Sequence, residues 1–273
     1  MIDNAGKYYV INGKLQPADD SMGYETSSGR TAYEVIRIIN GKALFLEDHI
    51  ERMKETLKAA DLKYDINPDL VKSEIAQIAA VHDTVNFNVK LVIYPCGNEI
   101  SRLLYVSKSY YPSKYEVENG VHVKTAFIER INPNAKIENT AYKQKVKEII
   151  SENNIFEVLL VNSDGFITEG SKSNVFFAEG GKIITPPEKY VLKGITRKYV
   201  IEACRRQGIE VVEKLIDLKH LYEVEGLFIS GTSIKVLPIS KVDEAFFNSP
   251  VNETIVKVRD EYDRIIDEYL TNS

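Results

Sequence analysis

Cysteine is scarce in this 273-residue chain. Cys96 and Cys204 lie far apart in sequence, and a cytoplasmic chain would keep them reduced, so both are expected to be buried thiols. Histidine is scarce too. His49, His82, His122 and His220 have no metal-ligand spacing, so no metal site is expected. Positive charge is not in surplus. A net charge of −5 argues against a nucleic-acid surface, which needs clustered Lys and Arg. No run of about 18 apolar residues is present, which argues against a membrane-spanning helix. Met1 to Gly6 has neither a basic start nor an apolar stretch, so no secretory signal is expected. Internal repeats and low-complexity segments are absent as well. What remains is an ordinary soluble composition, 44% hydrophobic and 27% charged. The length allows one large domain or two of moderate size.

The first third reads as a strand meander with helices. Tyr8 to Ile11 runs into Asn12-Gly13, and Tyr33 to Ile39 into Asn40-Gly41 and then Ala43 to Leu46, both hairpin signals. A helix is expected from Asp48 as N-cap, with Ile50, Met53, Leu57 and Ala60 along one side. A second is expected over Val71 to Ala80, and paired strands around Cys96-Gly97-Asn98. Tyr110 to Lys114 is the best linker, because Pro112 restricts the preceding residue to extended conformations. Beyond it come a strand over Val121 to Phe127 and a helix over Ala141 to Glu152. A buried strand over Val158 to Val161 leads to an Asp164-Gly165 turn, and a hairpin turns at Gly180-Gly181. A helix from Thr196 ends at Gly208, Leu227 to Ile229 is a strand, and Ile255 to Leu270 forms an amphipathic helix. The expected class is α/β or α+β, in two domains: residues 1–112, a linker at 113–120, and a larger cofactor-binding domain over 121–273.

The chemistry is concentrated between Glu169 and Arg197. The stretch reads Thr168-Glu169-Gly170-Ser171-Lys172-Ser173-Asn174, then Ile184-Thr185-Pro186, then Leu192-Lys193-Gly194-Ile195-Thr196-Arg197. A carboxylate, an amide and a loop that opens a helix suit pyridoxal 5′-phosphate, which needs a lysine for its Schiff base, an acid facing the ring nitrogen and anion-binding groups for its phosphate. Glu169 is the candidate for the ring nitrogen. Gly194-Ile195-Thr196 offers the unpaired first amides of a helix to an anion. Gly231-Thr232-Ser233 offers a second cluster of amides and hydroxyls, and Arg52 a cation near His49 on the same helix face. Lys136 stands out among many lysines because it follows a Pro-containing turn and precedes a helix. Burial beside a cationic neighbour would lower its pKa. Gly165 to Gly170 has the glycine spacing of a P-loop, but Ser171 stands where lysine is required, and that reading fails.

Together these residues resemble the class IV, fold type IV, pyridoxal-phosphate aminotransferases: branched-chain and D-amino-acid aminotransferases and aminodeoxychorismate lyases. Tyr33-Glu34-Val35-Ile36-Arg37, then Gly41, Phe45, His49 and Arg52, and Lys136 with Asn139, extend the likeness, which runs from about Tyr33 to Pro238. The resemblance implies a small α/β domain, a larger β-barrel-like domain with the cofactor between them, and a homodimer. It makes Lys136 the Schiff-base lysine and proton shuttle. Glu169 pairs with the ring nitrogen, and Arg52, Ile195, Thr196 and Thr232 hold the phosphate. Ser171, Asn174 and Gly194 complete the cofactor set, with Gly231 and Ser233 near the substrate. The strand Val92 to Gly97 lacks the arginine and histidine with which D-amino-acid enzymes clamp the substrate carboxylate. The tyrosine and arginine of bacterial branched-chain enzymes are missing too, with Val89 and Leu91 near those positions, so Lys90, Arg30 and Arg130 are the candidate cations. Tyr142 is the candidate for the cofactor's phenolic oxygen. The implied activity is amino transfer between an amino acid, branched-chain or D, and a 2-oxo acid. Pyruvate release by a lyase is an alternative, against which Val35 speaks because lyases usually carry threonine there. A non-catalytic cofactor-binding homologue is another.

Overall fold

The computed structural model describes residues 4–18, 31–130 and 133–272, so the candidate Arg30 lies outside the described residues. The chain divides into two compact units. The first runs to Tyr110 and takes in Ala135–Asn139 and the end of the chain from Tyr269; the second holds Tyr111–Asn134 and Thr140–Glu268.

In the first unit, β1 (Asn4–Ile11) and β2 (Lys14–Pro17) join through Asn12 and Gly13, at φ 46° and 85°. β3 (Ala32–Ile39) turns into β4 (Lys42–Ala43) through Asn40 and Gly41, at φ 50° and 76°. Positive φ at both central residues is what Asn-Gly supplies to a two-residue hairpin. β4 is shorter than the sequence predicts. Phe45 takes a left-handed backbone, φ 53°, buries its ring against Tyr269 at 4.9 Å and becomes the N-cap of α1 (Leu46–Ala59). Asp48, the expected cap, lies in the first turn instead, where its charge still complements the helix start. α2 (Pro68–Val81) begins at Asn67, whose side chain accepts from the amides of Asp69 and Leu70. β5 (Phe87–Cys96) and β6 (Glu99–Ser107) form the expected hairpin. Six strands make one antiparallel sheet, ordered β2-β1-β6-β5-β3-β4. One face packs Ile36, Leu91 and Leu104 against Ile50 and Met53 of α1 and Ile75 of α2. The other carries Tyr9, Tyr33, Val92, Tyr94, Leu103 and Tyr105.

The second unit begins earlier than a linker at 113–120 would allow. Ser113 and Glu116 close a capping box, so that segment becomes α3 (Lys114–Asn119). Next come β7 (Val121–Phe127), α4 (Thr140–Asn153), β8 (Glu157–Val161) and β9 (Phe166–Gly170). β10 (Asn174–Glu179) and β11 (Lys182–Thr185) turn at Gly180-Gly181 as expected, and α5 (Ile195–Arg206) follows. Then come β12 (Val211–Glu213), β13 (Ile216–Asp217), β14 (Gly226–Gly231), β15 (Lys235–Val242), β16 (Ala245–Phe246) and α6 (Glu253–Asn272). The sheet path is β12-β11-β10-β14-β15-β7-β8-β9-β13, with β16 on β15. β9 and β10 lie near opposite ends of that path, yet only the turn Ser171 to Ser173 separates them in the chain. The sheet must therefore curl until its ends approach, which makes the unit barrel-like. Val121, Leu159, Val175, Phe177, Leu227 and Leu237 fill its interior, while Val146 of α4 packs on Val158 and Leu160 outside it.

The cysteines divide. Cys204 is buried in α5, and burial pushes its thiol up to about 12. Cys96 is exposed at the tip of the β5–β6 hairpin, contrary to expectation, because β5 ends there. Among the described residues, no helix is long and apolar enough to cross a membrane.

Candidate active site

Lys136 belongs to the first unit although the chain on either side belongs to the second. Ile137 bridges Ala32 in antiparallel fashion, the Tyr33 amide donates to the Lys136 carbonyl at 3.2 Å, and Glu138 donates to Thr31 at 3.0 Å. The segment thus lies as an added edge beside the start of β3, whose far end is paired with β4. Lys136 Nζ lies 5.4 Å from the centre of the Tyr33 ring. Lys90 Nζ lies 5.0 Å from the same ring and 2.6 Å from Glu138, a buried ion pair.

The helix-facing side of β3 carries Glu34, fully buried among apolar neighbours. Arg52 of α1 grips it with Nε at 2.7 Å and Nη2 at 2.6 Å, and His49, one turn earlier, meets it through Nδ1 at 2.7 Å. Burial alone would raise the Glu34 carboxyl. The Arg52 and Lys136 charges and the Arg52 and His49 hydrogen bonds outweigh it and hold the group well below the usual carboxylate range. Burial depresses His49, and Glu34 only partly opposes this. Arg52, the sequence candidate for phosphate, is thus fixed in orientation by a carboxylate that sequence reasoning did not pair with it.

In the second unit Glu169 projects from β9, 2% exposed. Nη1 of Arg130 donates to its Oε1 at 2.9 Å and the Leu192 amide to its Oε2 at 3.0 Å. Burial raises its carboxyl; Arg130 and the Leu192 amide pull the other way. The loop that supplies Leu192 leads directly into α5. Gly194 is the N-cap, no side chain caps the helix, and its first bond runs from the Lys198 amide to the Gly194 carbonyl at 3.0 Å. The amides of Ile195, Thr196 and Arg197 thus precede the helix's own bonds. Asn174 ties the junction together. Its Nδ2 donates to the Leu192 carbonyl at 2.9 Å, and its Oδ1 sits 2.1 Å from where a Cβ on residue 194 would be. Only glycine fits there. Across the sheet from Asn174, Ser230 keeps a buried hydroxyl without a hydrogen-bond partner. Gly231 ends β14, with Thr232 and Ser233 in the turn before Lys235. Thr196 is hydrogen-bonded with Tyr262 of α6. Arg197 turns away from the helix start to Glu213 at 2.7 Å and the Pro186 carbonyl at 3.1 Å.

The sequence offered no signal for Glu157. It is buried at the start of β8, where its carboxyl accepts from Ser171, from Ser173 at 3.4 Å and from the Val158 amide at 3.0 Å. Burial raises this group as well. Ser171 is therefore spoken for by an acid, and Tyr142 donates its hydroxyl to the Ser171 carbonyl at 3.0 Å.

Residues 31–242 match the family model for amino-transferase class IV. The chain belongs to the class IV aminotransferases. A D-alanine aminotransferase of Bacillus licheniformis is 28% identical over 252 residues, 86% of this chain and 88% of that protein. A putative branched-chain-amino-acid aminotransferase of Methanocaldococcus jannaschii is 27% identical over 274 residues, covering 92% and 94%. The branched-chain aminotransferase of Thermoproteus uzoniensis, solved with norvaline, superposes with a TM-score of 0.84 at 21% identity over 97% of both chains. The PLP-form enzyme of Thermobaculum terrenum gives 0.83 at 23% identity, covering 98% of this chain and 95% of that one. This class IV aminotransferase therefore has the fold type IV architecture that the resemblance implied. Its family implies pyridoxal phosphate. The residues fit such a group: an uncapped helix start, a glycine where a Cβ has no room, a partnerless buried hydroxyl and a buried acid one short loop away.

Proposed function

We propose that this aminotransferase uses pyridoxal phosphate, with Lys136 as its amine and Glu169 facing the ring nitrogen. The observation that carries the reading is one loop: Leu192 donates to Glu169, and Gly194, Ile195 and Thr196 open α5 immediately after it. A single turn of chain thus links an acid suited to a ring nitrogen with amides suited to a phosphate. When bound, the cofactor supplies an aldehyde that condenses with amines and a ring that withdraws electrons. Lys136 holds it through the side-chain amine and then carries the proton of the substrate carbon. Glu169 holds a proton on the ring nitrogen. The Ile195 and Thr196 amides, Thr232 and the Glu34-anchored Arg52 bind the phosphate. Ser171, Asn174 and Gly194 shape the acid end of the site, and Gly231 and Ser233 flank the substrate.

The substrates in this reading are an amino acid with an aliphatic side chain, branched-chain or D-configured, and a 2-oxo acid. Val92 and Leu103, packed among Tyr33, Tyr94 and Tyr105, support the aliphatic preference. The reading includes a homodimer and a cytoplasmic setting, in which the exposed Cys96 stays reduced. The test is a spectroscopic half-reaction screen with L- and D-amino acids. Wild-type protein should gain a visible band with the cofactor and lose it with its preferred amino donors, and Lys136→Ala should never gain it. A wild-type protein that stays colourless with added cofactor would overturn the reading.

A further inference from the structure

Arg130 was one of the candidate cations for the substrate carboxylate. Its surroundings point elsewhere. Its guanidinium is 18% exposed and spends Nη1 on Glu169, 3% exposed in its side chain. It lies 5.9 Å from the centre of the Tyr142 ring of α4. Tyr142 in turn donates to the carbonyl of Ser171, in the turn that follows Glu169. Arg130, Tyr142 and the 171–173 turn therefore form one brace around a single carboxylate. The charged groups facing that carboxylate are Arg130, from the segment after β7, and Glu157 of β8; the Leu192 amide faces it from the loop before α5. Lys172, in the same turn, acts on Glu157. The opposition is clear: burial and Glu157 disfavour a charge on Glu169, while Arg130 and the Leu192 amide favour it.

We propose that Arg130 is a positioning residue for the ring-nitrogen acid: it fixes the orientation of Glu169 and keeps it anionic, leaving a lone pair on each oxygen for the ring N–H. This rests on the reading of Glu169 given above. An anion there pairs with a protonated ring nitrogen; a neutral carboxyl has no charge to hold that proton and can instead donate its own O–H to an unprotonated nitrogen. Arg130 thus acts on the cofactor through Glu169 and does not touch the substrate.

The first test needs no cofactor. In the apoprotein, the carboxyl carbon of Glu169 is followed by NMR with labelled glutamate and assigned by its loss in Glu169→Gln. Removing an opposite charge at this range should raise the Glu169 midpoint by about 1–3 pH units in Arg130→Met. Arg130→Lys, which keeps the charge and guards against a misfolded variant, should recover most of that shift. An unchanged midpoint in both variants overturns the proposal, whether or not the protein binds pyridoxal phosphate. The second test adds cofactor labelled with 15N in the ring. Its resonance should move toward the unprotonated position in Arg130→Met and return in Arg130→Lys. A variant that instead raises KM for the amino donor, with kcat and ring resonance unchanged, would return Arg130 to the substrate and overturn the proposal.

Discussion

Gly194→Ala probes the junction of Asn174, the Leu192 loop and the start of α5. Backbone conformation raises no objection, because residue 194 sits at φ −63° and ψ 135°, which alanine adopts freely. The cost is all contact. The new Cβ would lie 2.1 Å from Asn174 Oδ1 and 3.3 Å from its Cγ. Carbon contacts are optimal at about 3.5–4.0 Å, so the amide must swing aside. Asn174 is 5% exposed and donates to the Leu192 carbonyl at 2.9 Å, so the swing breaks a buried hydrogen bond. A buried polar group stripped of its partner costs about 1–3 kcal/mol. The poorer N-cap adds roughly 0.5 kcal/mol. The expected loss is therefore about 1.5–3.5 kcal/mol, read as a lower urea midpoint at constant slope. The decisive assay is a double-mutant cycle with Asn174→Ala. Once the obstructing amide is gone, Gly194→Ala should cost only its cap contribution, giving a coupling of about 1–3 kcal/mol. Additive losses, or a neutral Gly194→Ala, would refute the reasoning.

Glu34→Gln leaves Arg52 buried without its counter-charge and should cost about 3–5 kcal/mol. The pH dependence follows from the depressed Glu34 carboxyl. Its stabilisation is complete above the unfolded value of about 4.3 and is lost as pH falls through the lower folded value. Denaturant unfolding from neutral to strongly acidic pH should therefore show a steeper acid loss in wild type than in Glu34→Gln; equal acid limbs would refute this. Lys90→Met removes the ammonium 2.6 Å from buried Glu138 and should cost about 3 kcal/mol, with Lys90→Met/Glu138→Gln recovering part of it in thermal unfolding. If the double variant is no better than the single, the pair is not coupled as described. A thiol reagent should titrate Cys96 in the native protein and Cys204 only after denaturation, since Cys204 is 0% exposed; rapid native labelling of both would contradict the packing.

What the sequence made legible is what local rules govern. The Asn-Gly turns, the Gly97 and Gly180-Gly181 hairpins and the helix end at Gly208 all follow from backbone conformations that few residues tolerate. Periodicity located α2, α4 and α6 to within a few residues. Two departures have different causes, one non-local and one local. β4 is shorter than expected because nothing in Ala43 to Leu46 announces that Phe45 leaves the strand to pack on Tyr269. The 113–120 segment has the polar composition of a linker, yet Ser113 and Glu116 carry a capping box that starts α3.

The site divides along the same line. Glu169, Asn174 and Gly194 are recognisable by spacing because one short loop binds them together. Their supports are not, since each reaches its partner from another part of the chain: Arg130 on Glu169, Glu157 on Ser171, Arg52 on Glu34 and Glu138 on Lys90. The pattern has a physical reason. A buried acid is tolerable only where a cation or several donors meet it, and only the folded chain can bring those together. Of the three candidate cations for a substrate carboxylate, Arg30 lies outside the described residues, and Lys90 and Arg130 are both engaged by buried acids. If Lys90 or Arg130 is to bind a substrate carboxylate, that carboxylate must compete with Glu138 or Glu169. That competition makes the donor KM of Gly231 and Ser233 variants, measured against that of Lys90→Met, the informative comparison for specificity.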